Sequence, residues 1–371
     1  MKIAFVANTS WNIYNFRESL VKFFISQNHE VYILAPKDEH TEKIQKWDIR
    51  YFEITLENKG KNPFADLKFE SQLRKLYKQI KPDVVLHFTI KPNIYGTLAC
   101  RSLKIPCINN VSGLGTTFIH KGLSSKIAHF LYKIAFKFAN KVFFQNEDDL
   151  QIFLDKKLIK RDKTGLLPGS GINLEKFKPD LQENKNSEKF TFLMIARLIY
   201  DKGVREYAEA AKIVKQKYPN AEIQLLGSYE KDTKNPLNIS ESEVISWSNE
   251  ISYLGVASDV RVWIAKASVV VLPSYREGTP RSLLEAAAMG MPLLATNVAG
   301  CKEVVKHGEN GLLCEVKNAQ DLATKMIEMI EMPPEKLHQM GLNSRKITEN
   351  HFDEKIVWQK YEEAIKEIRG S

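Results

Sequence analysis

Four cysteines in 371 residues, Cys100, Cys107, Cys301 and Cys314, are too few and too scattered for a disulfide framework, and none has metal-ligand or C-x-x-C spacing. They read as plain buried thiols. No apolar run approaches the roughly 20 residues that span a bilayer, and the apolar stretch after Met1 and Lys2 is shorter than a signal-peptide core. The expected location is therefore the cytoplasm. There is no low-complexity tract, no repeat of roughly 20 to 50 residues, no D-x-D pair and no His/Cys cluster. Nothing calls for a catalytic metal or another cofactor.

Carboxylates are absent from one long interval. Asp83 is followed by none until Glu147, while Lys91, Arg101, Lys104, Lys121, Lys126, Lys133, Lys137 and Lys141 fall in between. The whole chain has 54 Lys plus Arg against 45 Asp plus Glu, a formal charge of +9. Its first 180 residues hold 29 basic and 18 acidic side chains, a net of +11, which leaves −2 for the remainder. The first half thus offers a surface suited to an anionic partner. With 43% hydrophobic residues the chain can bury substantial cores, and its length suggests two domains at roughly 100 to 200 residues each.

Short β-branched and aromatic runs alternate with helix-length segments, as crossovers between parallel strands require. In the first half they are Ile3 to Ala7, Val31 to Ala35, Tyr51 to Leu56, Val84 to Phe88, Cys107 to Val111 and Val142 to Gln145. A polar stretch within Phe177 to Lys189 reads as the linker. Strands then resume at Phe190 to Ile195, Ile223 to Leu226, Val269 to Leu272, Leu293 to Thr296 and Leu312 to Val316. The fold class is α/β, with two doubly wound domains in tandem at 1–180 and 188–352. The segment 353–371 reads as a helix packing back on the first domain, since Ile356, Trp358, Tyr361, Ile365 and Ile368 are too apolar to hang in solvent.

The second half carries Leu272-Pro-Ser-Tyr-Arg-Glu-Gly-Thr-Pro-Arg-Ser-Leu-Leu-Glu285. A strand turns through Gly278 into a helix with Thr279 as expected N-cap and Pro280 as first residue. The N–H groups of Thr279, Arg281, Ser282 and Leu283, with the positive end of the helix dipole, make an anion site at the carboxyl edge of a sheet. Glu277 and Glu285 bracket it. Carboxylates repel phosphate, so they suit neutral hydroxyls, and a nucleotide sugar supplies both the diphosphate and the hydroxyls. The competing reading makes Glu277 a solvated loop charge and Glu285 a helix-end carboxylate.

The segment Glu277-Gly-Thr-Pro-Arg-Ser-Leu-Leu-Glu285 resembles the E-x7-E motif of family-4 retaining glycosyltransferases, which have the two-domain GT-B fold with an interdomain cleft. Ala196-Arg197-Leu198 followed by Lys202-Gly203, Leu225-Leu226-Gly227, Tyr253-Leu254-Gly255 and Pro168 to Phe177 are similar to further motifs of that family. The resemblance implies that Glu277 holds donor-sugar hydroxyls, Glu285 the ribose, and Arg197 with Lys202 the diphosphate. It also implies that Gly227, Tyr253 and Leu254 line the nucleotide, and that retention follows a front-face path in which the leaving phosphate helps deprotonate the acceptor. Independently, a departing nucleoside diphosphate gains charge as its glycosidic bond breaks, and two cations five residues apart can meet it.

After the first strand, Asn8-Thr9-Ser10 stands where many members have a glycine pair, with Ser10 left as a donor-side candidate and Tyr14 and Arg17 on the acceptor side. The loop Val111-Ser-Gly-Leu-Gly-Thr-Thr-Phe-Ile-His120 lacks the third glycine of a dinucleotide fingerprint. Its Gly113 and Gly115 instead resemble a subgroup of bacterial glycan-assembly enzymes. His120 is a candidate beside the donor sugar, against a surface histidine next to Lys121. His87 and Lys91 are comparable candidates for the acceptor. The helix expected over Ser124 to Lys141 carries Lys126, Lys133 and Lys137 on one stripe beside Phe130, as a helix touching an anionic leaflet would; a core helix with solvated lysines is the alternative.

The motif with Ala299-Gly-Cys-Lys-Glu-Val-Val305 looks most like bacterial hexosaminyltransferases that extend an undecaprenyl-diphosphate-linked amino sugar, among them N-acetylgalactosaminyltransferases of protein N-glycosylation. The expected donor is a UDP-linked N-acetylhexosamine, and the expected acceptor a polyprenyl-diphosphate-linked saccharide at the inner leaflet, with the enzyme peripheral there. Alternatives are a hexosyltransferase of capsule or lipopolysaccharide synthesis and a UDP-N-acetylglucosamine 2-epimerase. A nucleic-acid-binding protein is disfavoured, because the acid-free interval holds strands and a glycine loop rather than clustered recognition residues.

Overall fold

In the computed structural model, which describes residues 1–57, 62–114, 123–179, 189–229 and 238–370, the apolar runs become parallel strands. The chain divides into two compact units, Met1–Gly171 with Glu354–Ser371, and Ile172–Asp353.

The described residues of the first unit form a seven-stranded sheet of β1 (Lys2–Val6), β2 (Glu30–Ala35), β3 (Arg50–Glu53), β4 (Val84–Phe88), β5 (Cys107–Val111), β6 (Lys141–Phe144) and β7 (Thr164–Leu166). Their order is β3-β2-β1-β4-β5-β6-β7, parallel throughout. Helices cover both faces, so the central strands are continuous apolar runs rather than alternating ones. Ile3 and Phe5 of β1 join Ile33, Leu86 and Phe88 in one core, and Ala4 and Val6 join Leu34 and Val85 in the other. Each fully buried Ile, Leu or Phe contributes roughly 1.5–3 kcal/mol.

The final helix, Glu354–Gly370, completes the first of these cores with Val357, Tyr361, Ala364 and Ile365. Trp358 stacks on Phe23 at 5.2 Å, and the Tyr361 hydroxyl accepts from Asn110 of β5 at 3.0 Å. The helix after β5, Leu123–Ala135, ends six residues before Lys141, short of the length expected from sequence. Beyond its end, Lys163 Nζ donates to the carbonyls of Lys137 and Ala139 at 2.8 and 2.9 Å.

The second unit has β8 (Thr191–Ile195), β9 (Glu222–Leu226), β10 (Ser252–Tyr253), β11 (Val269–Leu272), β12 (Leu293–Thr296) and β13 (Gly311–Cys314). Their order is β10-β9-β8-β11-β12-β13, again parallel. Phe192 and Met194 face one core and Leu193 the other. In both sheets the first strand lies between the second and a later one, β1 between β2 and β4, β8 between β9 and β11. At such a reversal the loops leaving the carboxyl ends diverge and open a crevice for ligand. All four cysteines are buried thiols.

Candidate active site

In the second unit the loops after β8, β9, β11 and β12 converge at the carboxyl edge. After β8, Arg197 is exposed, and a single 3-10 turn, Tyr200–Lys202, places Lys202 five residues on. After β11, Glu277 is anchored by its backbone N–H to the Ala299 carbonyl at 3.0 Å. The Lys202 ammonium and Glu277 carboxylate form an ion pair, with side chains 19% and 12% exposed. The two loops are joined a second time, since the Asp201 carbonyl accepts from the Tyr275 N–H at 2.9 Å and from Ser274 Oγ at 3.0 Å. Ser274 is fully buried, and its own carbonyl accepts from Thr296 Oγ1. The cation and the carboxylate are therefore held by backbone on both sides, as a preorganised electrostatic site requires.

Glycines permit this convergence at two points. A Cβ on Gly300, whose φ is +87°, would lie 2.6 Å from the Glu277 backbone. One on Gly227 would lie 1.7 Å from the Ala196 carbonyl oxygen, so no side chain fits between the ends of β8 and β9. Gly227 is further tied to the segment after β10: its N–H donates to the Gly255 carbonyl at 2.8 Å, and its carbonyl accepts from the Tyr253 hydroxyl at 2.8 Å. Leu254 sits in the same segment, its N–H on the Leu225 carbonyl at 2.9 Å.

The helix after β11 is Arg281–Ala288, with Pro280 at the cap position and no side chain capping it. This corrects the expected start by one residue: Pro280 has ψ +117°, extended rather than helical, so Thr279 lies outside the helix with Gly278. The helix start, with the positive end of its dipole, is now at Arg281 and Ser282. Glu285, on the next turn, accepts from Arg281 Nε at 2.9 Å. Burial pushes its carboxyl above the ordinary carboxylate range, against the opposing pull of Arg281. Burial, with Glu277 close by, likewise pushes the Cys301 thiol well up, so that sulfur is no nucleophile.

Gly300, Ser274, Thr296 and Asp201 were not singled out from sequence. Only Gly300 carried a signal, a glycine just after a strand in Ala299 to Val305. The others act through backbone carbonyls and buried hydroxyls, which leave no pattern.

The first-unit candidates are placed differently. Thr9 caps the helix Ser10–Phe16 by accepting from the Asn12 N–H. Ser10 is fully buried, its hydroxyl donating to the Pro36 carbonyl at 2.9 Å and accepting from Thr41 at 3.0 Å. Tyr14 is half-buried, stacked on Trp47 with Lys43 over its ring at 5.2 Å. Arg17 is buried, its guanidinium 4.3 Å from the Phe88 ring centre and donating to Ser170 Oγ at 3.1 Å. His87 has no exposed surface. Its Nδ1 meets Asn109 Oδ1 and its Nε2 the Tyr77 hydroxyl, each at 2.9 Å. The amide of Asn109 donates to Thr97 and so presents its oxygen to His87, which makes Nδ1 the donor and Nε2 the acceptor. Lys91 pairs with Asp66 at 2.7 Å. Gly113 has φ +125° in the loop after β5, while Gly115 and His120 lie outside the described residues.

Comparison with known proteins decides what this arrangement belongs to. Residues 176–347 match the family model for glycosyl transferases group 1, and residues 2–146 that for glycosyl transferase 4-like proteins. Over 376 residues, 97% of each chain, the sequence is 32% identical to the N,N'-diacetylbacillosaminyl-diphospho-undecaprenol alpha-1,3-N-acetylgalactosaminyltransferase of Campylobacter jejuni. The chain belongs to the group 1 glycosyltransferases. This glycosyltransferase is also 27% identical, over 78% of its length and 76% of the other, to the UDP-Gal:alpha-D-GlcNAc-diphosphoundecaprenol alpha-1,3-galactosyltransferase of Escherichia coli. Its GT-B fold is shared with the Anabaena protein HepE in complex with UDP and glucose, at a TM-score of 0.82 and 19% identity over 99% and 100% of the two chains. The enzyme is thus a GT-B glycosyltransferase.

Proposed function

We propose that the enzyme transfers an N-acetylhexosamine, with retention, from its UDP conjugate to a saccharide carried on polyprenyl diphosphate at the inner face of the membrane. The observation that carries the reading is the Lys202–Glu277 pair beside the uncapped start of Arg281–Ala288. In this reading the helix N–H groups and Arg197 hold the diphosphate, and Lys202 neutralises the oxygen that leaves with it. Glu277 accepts from the sugar hydroxyls and Glu285 from the ribose, with Gly227 and the Tyr253-Leu254 segment beside the base. The bond between the anomeric carbon and the phosphate oxygen breaks while a bond to the acceptor oxygen forms on the same face. The acceptor proton passes to the departing phosphate. Cations fixed by backbone stabilise the charge that develops in this step more than the charge already present in the bound donor.

The acceptor is supported by the names of both relatives, which act on diphosphoundecaprenol-linked sugars; the N-acetylhexosamine is supported by the name of the first and UDP by that of the second, whose own sugar is galactose. Among the described residues no helix is long and apolar enough to cross a membrane. Tyr14, on the helix after β1, and Gly113 with Gly115 are proposed for the acceptor side, and His120 for the donor sugar.

A panel of UDP- and GDP-linked sugars, scored by nucleotide release with a short-chain polyprenyl-diphosphate sugar, tests the reading. Release from a UDP-N-acetylhexosamine that depends on the lipid acceptor is expected. Epimer formation from UDP-N-acetylglucosamine without acceptor would replace it by the epimerase reading, and preference for a plain hexose would replace the donor.

A further inference from the structure

The first unit holds a second basic feature that no motif marks. Helix Leu123–Ala135 returns between parallel strands and so runs from the carboxyl edge of the sheet toward the opposite edge, where β6 and β7 begin. Lys126, Phe130 and Lys133 share its outer stripe, and Phe130 is 63% exposed with Ile127 beside it at 51%. At the far end of this stripe lies a pocket of about 650 Å³. Its rim is cationic, with Lys133 and Lys137 from one side and Lys157, Lys160 and Lys163 from the other, against a single carboxylate, Asp162. Its floor is apolar, formed by Phe136, Leu154 and Leu158.

Lys163 is already engaged with carbonyls. Lys133, Lys137, Lys157 and Lys160 are exposed and, among the described residues, none of them is in an ion pair. Lys157, just past the helix Glu147–Asp155, has a left-handed backbone with φ +52°. Four cations around one pocket with only Asp162 for counter-charge repel one another, and an apolar floor gives a simple ion such as phosphate nothing to pack against. An amphiphile that carries phosphate above methylenes satisfies rim and floor together.

We infer that this pocket binds the phosphate headgroup of an anionic phospholipid, and that the stripe of Lys126, Phe130 and Lys133 lies along the same leaflet with Phe130 and Ile127 among the acyl chains. The inference deepens the proposed membrane-side function by naming the surface that meets the bilayer. It does not depend on which sugar is transferred.

The test is flotation of the full chain with phosphatidylcholine vesicles, with and without phosphatidylglycerol, at low and high salt. The wild-type chain is expected to float with phosphatidylglycerol at low salt and to be released at high salt. The double variant Lys157→Gln/Lys160→Gln, off the helix stripe, is expected to lower the partition coefficient roughly 25-fold, about five-fold per lysine. Its thermal midpoint and its transfer to a short-chain acceptor in detergent should match wild type. Equal flotation on both vesicle types overturns the inference, and so does a double variant that floats like wild type. Protection of the pocket lysines from amine labelling by glycerol phosphate as effectively as by phosphatidylglycerol vesicles also overturns it, in favour of a soluble-anion site. Loss of all transfer activity with flotation intact would instead reject the proposed reaction and leave the pocket standing.

Discussion

The two sheets have the same strand order around their first strand, yet their carboxyl edges are built oppositely. In the second, charged side chains stay at the edge in half-buried pairs: Lys202 with Glu277, and Arg281 with Glu285. The first keeps one such pair, Lys91 with Asp66, but the polar side chains of its strand ends turn inward. His87, Asn109, Asn110 and Ser10 are fully buried and bonded to Tyr77, Thr97, Tyr361 and Thr41. A buried neutral network rigidifies the fold but reaches no ligand through its side chains, whereas partly buried ion pairs can exchange one partner for substrate. Doubly wound topology supplies a place for a site, and the residues at the strand ends decide whether it is used for chemistry or for packing.

The sharpest break of this contrast is at the cations. Lys202→Ala or Arg197→Ala should lower kcat by roughly 10²-fold or more, about 3 kcal/mol, in purified and folded protein. Turnover near wild type would remove either residue from the diphosphate grip. On the other side, His87→Leu strands the Tyr77 hydroxyl and the Asn109 carbonyl oxygen in the interior and should destabilise the first unit by about 2 kcal/mol. UDP affinity should stay at the wild-type value, so a change in calorimetric UDP binding without a drop in thermal midpoint would reverse the assignment of packing to one edge and chemistry to the other.

Gly300→Ala pushes a methyl group into the Glu277 backbone at a positive φ and should cost about 2 kcal/mol in strain. Turnover should fall roughly tenfold as Glu277 is displaced from Lys202. Unchanged kinetics would mean that the loop after β12 does not position the carboxylate.

The smallest effect concerns Glu285. Because burial raises its carboxyl, the folded state holds this proton more tightly than the unfolded chain does, so its contribution to stability is lost as pH rises through the raised value and regained as pH falls. If Glu285 accepts from ribose hydroxyls as proposed, the charged carboxylate is the stronger acceptor, and UDP affinity of the wild-type enzyme should weaken as pH falls through that same window. Glu285→Gln should weaken UDP binding roughly tenfold at neutral pH and abolish the pH dependence, while leaving or raising the thermal midpoint. A variant with the wild-type pH profile would place the titrating group elsewhere.

Most strands were legible because a parallel strand covered on both faces is an unbroken apolar run, as in Ile3 to Ala7 and Val269 to Leu272. The same property hid His87. All five residues of β4 are buried, so there is no alternation from which to read which way a polar residue in such a run points. Strand β7, Thr164-Gly165-Leu166, and strand β10, of two residues, are too short to show a period. Glu277, Glu285, Arg197 and Lys202 were visible through their motifs, but the direct pairing of Lys202 with Glu277 spans 75 residues and depends on Asp201 and Ser274, which resemble any loop residues. Likewise Lys157 and Lys160 line one pocket with Lys133 and Lys137 through tertiary packing that sequence spacing does not show.

The last helix has an implication for synthesis. Phe5, Phe88 and Phe143 of the first sheet lie in a core that Tyr361 and its neighbours help to close, a segment synthesised only after the whole second unit. The nascent first sheet must therefore wait while the whole second unit is made, with that core lined by Leu20, Val21 and Phe24 but still lacking Val357, Tyr361 and Ile365. That interval is when the protein most needs a chaperone, and a premature stop before Glu354 would leave an intact second unit attached to a sheet prone to aggregate.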